Sequence, residues 1–315
     1  MNQQKKEHFR EYAIAIVGGG PAGLTAALYA GRSRINHILL EAKPILGGQI
    51  LYTEKIENYP GCDEPVEGLQ LMQRFQKQAE HFGANIVVSK VESLSKVELS
   101  FRIVLEDGEV SANAVIICSG ASPKKTGITG EDKFIGRGIS FCAVCDAPLF
   151  KGKTVAVIGG GNSAIEEALY LSRFAEKVYV VHRRDRLRAA KILQERAFAN
   201  EKIEIIRSHI PIRVFGDEVI GAVELESVKT KERRTVELDG IFEYIGFLPN
   251  TAFIKIPELA LDEYGFIITD AEMRTNISGL FAAGDVRSKL LRQVSTAVGD
   301  GATAEFSAEK FIDGL

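Results

Sequence analysis

Three things are scarce in this sequence: cysteine, long apolar runs and net charge. Four cysteines among 315 residues are too few for a secreted scaffold held by disulfides, so a reducing cytoplasm is the expected location. No apolar run approaches the ~18 residues of a membrane helix, and the run 12–17 is too short for a signal peptide. A net charge of −3 argues against a dedicated nucleic-acid-binding protein. The chain is long enough for two globular domains.

Two of the cysteines, Cys142 and Cys145, form a Cys-x-x-Cys pair that is followed directly by Asp146. In a cytosolic α/β protein such a pair is typical of a redox couple. The same spacing also occurs as half of a zinc site, which needs a second close pair. The remaining cysteines, Cys62 and Cys118, are each solitary, and Cys118 lies in an apolar run where a buried side chain is expected. Redox use is therefore favoured over the zinc or structural alternative, and no metal site is predicted.

A glycine-rich motif follows the apolar run 12–17, which has the character of a buried parallel strand. The motif consists of Gly18, Gly19, Gly20, Pro21, Ala22 and Gly23, and a helical stretch follows it. In this context the first glycine of G-x-G-x-x-G allows the turn, the second admits a pyrophosphate, and the third lets the helix pack closely. Glu41 ends a second strand 23 residues after Gly18, where an acid meets ribose hydroxyls. The alternative is a glycine turn with a purely structural role.

The second half of the chain repeats the first. Residues 154–173 match residues 13–32 at an offset of 141, and eight positions are identical. Gly159, Gly161 and Ala164 give the accepted variant G-x-G-x-x-A. The sequence therefore predicts two dinucleotide-binding folds, one on each side of the cysteine pair.

The two copies differ where the acid is expected. The position equivalent to Glu41 is His182, and Arg183 and Arg184 follow it. An acid there repels a 2′-phosphate, whereas guanidinium groups bind it, and Arg188 would join them if a helix begins there. The second site is thus predicted to prefer NADPH, and the first to suit an unphosphorylated adenosine such as that of FAD. The alternative is a solvated basic turn.

Periodicity outlines the rest of the chain. An amphipathic helix is predicted over 66–82, with a core face formed by Leu69, Met72, Phe75, Ala79 and Phe82. Strands are predicted over 86–118 with a turn at Asp107-Gly108, and a C-terminal helix over 294–312. Breaks at 119–123 and 246–250 are interpreted as linkers.

With these motifs the chain resembles the low-molecular-weight thioredoxin reductases over nearly its whole length. The resemblance implies an α/β fold with two Rossmann-like dinucleotide-binding domains, in which an NADPH domain is inserted into a discontinuous FAD domain. The implied boundaries are 1–120 and 249–315 for the FAD domain and 121–248 for the NADPH domain with its Cys-x-x-Cys. The implied partner is a thioredoxin or thioredoxin-like protein, and the implied assembly is a homodimer; no nucleic acid or membrane is expected.

The resemblance also implies which residues bind the cofactors. Contacts with FAD fall to Gly18, Gly20, Pro21, Ala22, Gly23, Glu41, Gly48, Gln49, Asn58, Gly284, Asp285, Arg292, Gln293 and Val294. Contacts with NADPH fall to Gly159, Gly161, Asn162, Ser163, Ala164, His182, Arg183, Arg184 and Arg188.

The same resemblance implies the roles of the catalytic residues. Cys145 faces the flavin, and Cys142 is the choice for attack on the partner. Asp146 is interpreted as a general acid that protonates a leaving thiolate, the alternative being a helix cap. The family's usual motif is Cys-Ala-Thr-Cys-Asp-Gly; this chain has Val144 and Ala147 at the variable positions, which bears on partner docking. A flavin-dependent dithiol oxidase, a disulfide reductase with another donor, and a non-catalytic redox sensor are the competing interpretations.

Overall fold

The computed structural model of the chain describes residues 10–52, 56 and 58–314. The described residues belong to two compact units. The first unit is drawn from three segments, Met1–Leu51, Tyr59–Ser122 and Leu248–Leu315. The inserted unit comprises Pro123–Phe247 together with Tyr52–Asn58.

Helices and strands alternate in the first part of each unit, and consecutive strands follow. Up to the first linker the elements are β1 (Arg10–Val17), α1 (Pro21–Arg32), β2 (His37–Glu41), α2 (Gly68–His81), β3 (Ile86–Val88), β4 (Val91–Val97), β5 (Ser100–Leu105) and β6 (Gly108–Ile117). Next come β7 (Ala121–Pro123), α3 (Glu131–Phe134), β8 (Ile139–Ser140), α4 (Ala143–Asp146), β9 (Thr154–Ile158), α5 (Asn162–Leu171), β10 (Lys177–His182) and α6 (Lys191–Phe198). The chain continues with β11 (Ile203–Arg207), β12 (His209–Gly216), β13 (Ile220–Ser227), β14 (Arg233–Glu237), β15 (Gly240–Glu243), β16 (Phe247–Pro249), β17 (Leu280–Ala282) and α7 (Val294–Asp313). Short 3₁₀ helices cover Gly48–Tyr52, Ala147–Phe150 and Gly284–Val286.

The first unit is built on a mixed sheet with the strand order β3-β2-β1-β6-β5-β4, and β17 pairs with β6. The pairs β1–β2, β1–β6, β2–β3 and β6–β17 are parallel, whereas β4, β5 and β6 form an antiparallel meander. Ile14, Ile16 and Ile116 in the central strands are fully buried, as expected for parallel strands covered on both faces. Leu105 pairs with Gly108, so the turn predicted at Asp107-Gly108 is confirmed to within one residue. Helix α1 packs against α2 and α7.

The inserted unit repeats the strand–helix–strand arrangement of the first. Its sheet has the order β11-β10-β9-β15-β8, and all of its pairs are parallel. A separate antiparallel sheet contains β12, β13 and β14. The two predicted linkers contain β7 and β16, which pair with each other. The predicted fold class, with two Rossmann-like units of which one is inserted into the other, is confirmed.

The core face predicted for α2 is partly wrong. Leu71, Met72 and Ala79 are buried, but Leu69 is 40% exposed. At 100° per residue, Leu69 lies roughly 100° from the middle of the buried arc, whereas Leu71 lies within it. Within the described part of the chain, every helix is too short or too polar to traverse a bilayer.

Two buried carboxyl groups meet in the inserted unit. Glu131 and Glu243 are 4% and 2% exposed. The Thr126 hydroxyl oxygen lies 2.9 Å from Oε1 of Glu131 and 3.1 Å from Oε1 of Glu243. The hydroxyl has one hydrogen, so it cannot fully satisfy both carboxyl groups, and two ionised carboxylates buried together repel each other. Burial, together with hydrogen bonding and repulsion from Glu131, raises the pKa of Glu243 to about 8.

This pair predicts a pH-dependent loss of stability. The folded-state pKa of Glu243 lies above its unfolded value of 4.5, so the folded protein holds an extra proton between these values, and its stability falls as pH rises through that window. Glu243→Gln keeps a hydrogen-bonding group but cannot ionise. The thermal midpoint of the variant minus that of the parent should therefore be larger at about pH 9 than at about pH 5, as measured by thermal unfolding. The exposed Glu237→Gln is the control, and an equal difference at both pH values would contradict the assignment.

Candidate functional site

The first glycine turn leaves one open position among tightly packed ones. Gly18 has a φ of +112°, and a Cβ added there would lie 2.4 Å from the carbonyl oxygen of the buried Cys118. A Cβ on Gly23 would lie 1.8 Å from the Gly18 carbonyl oxygen. A Cβ on Gly20, by contrast, would meet nothing closer than Gly47, at 3.9 Å. Open backbone therefore faces outward at the start of α1, where unpaired N–H groups attract a phosphate.

Glu41 lies beside this turn and is held by backbone groups. Its Oε2 accepts a hydrogen bond from the Gly19 N–H at 2.7 Å, and its Oε1 accepts one from Lys43 at 3.0 Å. Of the next two predicted residues, Gly48 lies near this turn and Gln49 bonds to another segment of the first unit. Gly48 would bring a Cβ to 3.9 Å from Cα of Gly20, and Gln49 donates to the Ala121 carbonyl at 2.5 Å.

The C-terminal part of the first unit reaches the same glycine turn. A Cβ on Gly284 would lie 3.0 Å from Cβ of Ala22, which directly follows Pro21 at the start of α1. A Cβ on Gly301 of α7 would lie 2.2 Å from the Ala22 carbonyl oxygen. The structure thus brings Gly284 and Asp285 to the motif at Gly18–Gly23, although more than 250 residues separate them.

Asp285 presents a buried acceptor. Its Oδ1 is inaccessible to solvent and has no hydrogen-bond partner among the described residues. Burial is the main reason that the pKa of Asp285 is raised, and nearby Lys289 and Arg292 oppose the effect. Because a buried acceptor without a donor is costly, this oxygen fits a ligand that donates a hydroxyl group.

Neighbouring residues support Asp285. The Arg292 guanidinium donates to the Asp285 carbonyl at 3.3 Å and stacks on Phe266 at 4.1 Å. Gln293 forms a capping box with Thr296 at the start of α7, whose first residue is Val294. Asn58, another predicted FAD contact, is exposed and ends the segment Tyr52–Asn58 that groups with the inserted unit. Its role stays a prediction.

Asp300 belongs to this site and was not predicted from the sequence. It is 8% exposed in α7 and accepts the Gly284 N–H at 3.0 Å. Arg287 and Lys289 pair with it at 2.9 Å and 2.6 Å. One sequence signal could have indicated Asp300: an acidic residue at a core-facing position of the C-terminal helix. Such a residue is buried only when its charge is paired, so it marks a cluster of interacting charges.

The cysteine pair of the inserted unit is a disulfide between Cys142 and Cys145. Cys142 occupies the N-cap of α4, and the Cys145 N–H donates to its sulfur at 3.2 Å. The Ser140 hydroxyl accepts the Cys142 N–H at 3.1 Å and donates to Oδ2 of Asp146 at 2.5 Å. Asp146 makes no capping hydrogen bond to the 3₁₀ helix that follows it. Ser140, which no motif marked, therefore connects the backbone of Cys142 to the proposed acid.

The disulfide argues against the alternative in which the cysteine pair binds zinc. Both sulfurs are bonded to each other, whereas zinc binds thiolates. Among the described residues, no group of three or more His, Cys, Asp or Glu side chains is arranged to hold a metal ion.

A basic loop that contains Arg188 packs against the second glycine turn, at residues 159–164. A Cβ on Gly161 would have Nη2 of Arg188 as its nearest neighbour, at 3.9 Å. No helix begins at Arg188; instead its N–H donates to the Gly160 carbonyl at 2.6 Å, and Asn162 accepts the Ala190 N–H at 2.8 Å. These bonds fold the loop back onto the start of α5, which contains Asn162, Ser163 and Ala164.

The residues at the end of β10 divide into buried and exposed groups. His182 is 5% exposed, and a Cβ on Gly160 would lie 2.4 Å from its Nδ1. Burial is the largest of the effects that lower the pKa of His182, and the three nearby arginines add to it. The neutral ring therefore packs beneath the turn. Arg183, Arg184 and Arg188 are exposed, as a phosphate-binding cluster requires.

Comparisons with known proteins agree with this geometry. Residues 12–301 match the family model described as pyridine nucleotide-disulphide oxidoreductase. The thioredoxin reductase of Treponema pallidum (strain Nichols) is 43% identical over 305 residues, covering 97% of this chain and 98% of that protein.

Solved structures give the same result. The crystal structure of thioredoxin reductase from Streptococcus pyogenes MGAS5005 matches with a TM-score of 0.91 at 42% identity, covering 97% of this chain and 99% of that one. Thioredoxin reductase from Giardia duodenalis matches with a TM-score of 0.88 at 36% identity, covering 96% and 99%. With a family match over most of its length and such relatives, the chain belongs to the pyridine nucleotide-disulphide oxidoreductase family, among its thioredoxin reductases.

Proposed function

We propose that this chain is a thioredoxin-disulfide reductase that takes electrons from NADPH, carries them through FAD and delivers them from the Cys142–Cys145 dithiol to a thioredoxin-like protein. The observation that carries the proposal is the disulfide, which lies in a unit with its own glycine turn and arginine cluster. The first unit has the other glycine turn, and there the acid Glu41 lies where the inserted unit has arginines.

The first unit fits FAD. The open space at Gly20 would admit the pyrophosphate, Glu41 beside the turn would accept from ribose hydroxyls, and the unsatisfied Oδ1 of Asp285 would accept from another hydroxyl of the ligand. When bound, the flavin accepts a hydride from a nicotinamide and supplies an electron pair to a disulfide. The exposed arginines of the inserted unit fit the 2′-phosphate of NADPH.

The chain's own residues then exchange a disulfide. The reduced Cys142 attacks the partner's disulfide as a thiolate, forming a mixed disulfide and releasing one partner thiolate. Cys145 attacks the Cys142 sulfur, which re-forms the Cys142–Cys145 bond and frees the second thiolate. Two electrons and two protons have then passed to the partner. The Cys145 N–H, which donates to the Cys142 sulfur, would stabilise negative charge there. Asp146, which accepts from Ser140, is the proposed acid for a leaving thiolate.

A homodimer in the cytoplasm belongs to the same proposal. The low cysteine content motivates the cytoplasmic location, and the resemblance to the family motivates the dimer.

The proposal is tested by following NADPH oxidation with and without thioredoxins from the same organism. Oxidation that depends on thioredoxin supports it. NADPH oxidation that is independent of thioredoxin, with oxygen consumed when a small dithiol is supplied as the electron donor, would favour an oxidase and contradict the proposal.

The cysteine pair should be separable from flavin binding. Cys142→Ser and Cys145→Ser are each expected to abolish reduction of thioredoxin, because neither can re-form the disulfide. Both should keep their yellow flavin spectrum, since the pair and the first glycine turn belong to different units. Cys62→Ser, which changes a cysteine outside the pair, is the control. Parent activity in either variant of the pair would show that the dithiol assignment is wrong.

The preference for NADPH should depend on Arg183 and Arg184. Charge-assisted hydrogen bonds contribute about 1.5–3 kcal/mol each, or roughly 10- to 150-fold in binding. Changing both arginines to alanine is expected to raise the KM for NADPH strongly and leave that for NADH nearly unchanged. The two effects need not add, because both residues would contact one phosphate.

Steady-state kinetics with both nucleotides would check this. The exposed pair Arg233 and Arg234 on β14, changed to alanine, is the matched control. Equal losses for NADH and NADPH would mean that Arg183 and Arg184 serve the fold or the shared part of the nucleotide.

Asp285 is expected to lower the stability of the flavin-free protein and to favour binding of the cofactor. Its unsatisfied Oδ1 destabilises the protein when no ligand is bound, so Asp285→Ala is expected to raise the thermal midpoint of the flavin-free protein. The same change removes an acceptor for FAD and should lower flavin retention, measured by absorbance after gel filtration. A variant that retains flavin as well as the parent does would remove Asp285 from the site.

A further inference from the structure

Tyr244 connects the two functional parts of the inserted unit. It directly follows β15, and its N–H donates to the Ile158 carbonyl at the end of β9, at 2.8 Å. A Cβ on Gly159 would lie 2.7 Å from the Tyr244 carbonyl oxygen. The backbone of Tyr244 is therefore fixed against the first glycine of the nucleotide turn.

The side chain of Tyr244 extends to the cysteine pair. Its hydroxyl oxygen accepts the Ala143 N–H at 2.5 Å, and Ala143 is fully buried between the two cysteines. The first N–H groups of a helix have no partner within it. At the start of α4 the Cys145 N–H is satisfied by the Cys142 sulfur, and the Ala143 N–H is satisfied by Tyr244. The hydroxyl thus holds the backbone of the disulfide turn.

Glu167 lies near that hydroxyl, on α5, the helix whose first turn belongs to the nucleotide site. Its Oε2 is buried and has no hydrogen-bond partner among the described residues, so a donor there would stabilise it. Because the hydroxyl oxygen accepts from Ala143, its hydrogen is left for the carboxylate. Burial, with a smaller effect of Glu166, raises the pKa of Glu167 to about 7, and the contact with Tyr244 opposes this shift.

We propose that Tyr244, with its hydroxyl oriented by Glu167, is a positioning residue for the Cys142–Cys145 pair. This inference rests on the proposed redox role of that pair. Tyr244→Phe keeps the aromatic ring, which packs on the core around Ala143 and Phe242, and removes only the hydroxyl. In the disulfide form the Ala143 N–H is then buried without an acceptor. Once the disulfide is reduced, the turn is no longer tied by the S–S bond and can give this N–H another partner, so the disulfide form is the one destabilised.

The test is the equilibrium of the pair with dithiothreitol, without added NADPH. After alkylation, the peptides that contain Cys142 and Cys145 report the reduced fraction by mass. Tyr244→Phe should shift the equilibrium toward the dithiol by about tenfold, which is about 30 mV for a two-electron couple. Glu167→Ala should shift it in the same direction. Glu167→Gln, which keeps an acceptor for the Tyr244 hydroxyl, should stay close to the parent protein.

Controls separate positioning from general damage. Tyr170→Phe changes a tyrosine of α5 whose ring packs on Phe174 and Arg173, and it should leave the equilibrium unchanged. An unshifted equilibrium in Tyr244→Phe would overturn the inference. So would a shift in Glu167→Gln as large as that in Glu167→Ala. If dithiothreitol reduces the parent's pair but NADPH does not, the proposed function fails while the inference is still measured.

Discussion

The carbonyl oxygen of Gly18 lies so close to Gly23 that a methyl group on Gly23 would be 1.8 Å from it. This approach of a helix to a turn is possible only without a side chain, and it places the start of α1 at the end of β1. A second close approach lies beside it: a Cβ on Gly301 of α7 would be 2.2 Å from the Ala22 carbonyl oxygen. The two contacts bring Glu41, Asp285 and the open backbone at Gly20 around one space. The first nucleotide site therefore depends on packing between backbones, with side chains added at its edges.

The inserted unit uses the same turn with different chemistry around it. Ala164 replaces the third glycine, and His182 fills the space beneath Gly160. Where the first unit holds a carboxylate against its turn, the inserted unit exposes three arginines. One backbone arrangement thus carries opposite charges beside its two copies, and in the proposed function this difference separates a site for FAD from one for NADPH.

The sequence was sufficient for features that depend on neighbouring residues. Each glycine turn is encoded within about twenty residues of strand, turn and helix, so both turns and the fold class were predictable. Features formed between distant segments were not. Tyr244 is 101 residues from the Ala143 N–H that it accepts, and no local pattern marks such a contact. Leu69 was misplaced for a related reason: periodicity shows that α2 has an apolar face, but only its packing neighbours decide where that face is centred. Cofactor contacts predicted by resemblance, such as Asn58, stay predictions.

The central claim is that electrons from NADPH pass through both a flavin and the Cys142–Cys145 pair. An anaerobic titration of the purified protein with NADPH, followed by flavin absorbance and by thiol content, tests it most directly. A chain that holds one electron pair in the flavin and one in the dithiol should consume about two NADPH before the nucleotide accumulates, and two new thiols should appear. Uptake of about one NADPH, with no new thiols, would show that the pair does not receive these electrons and would contradict the account.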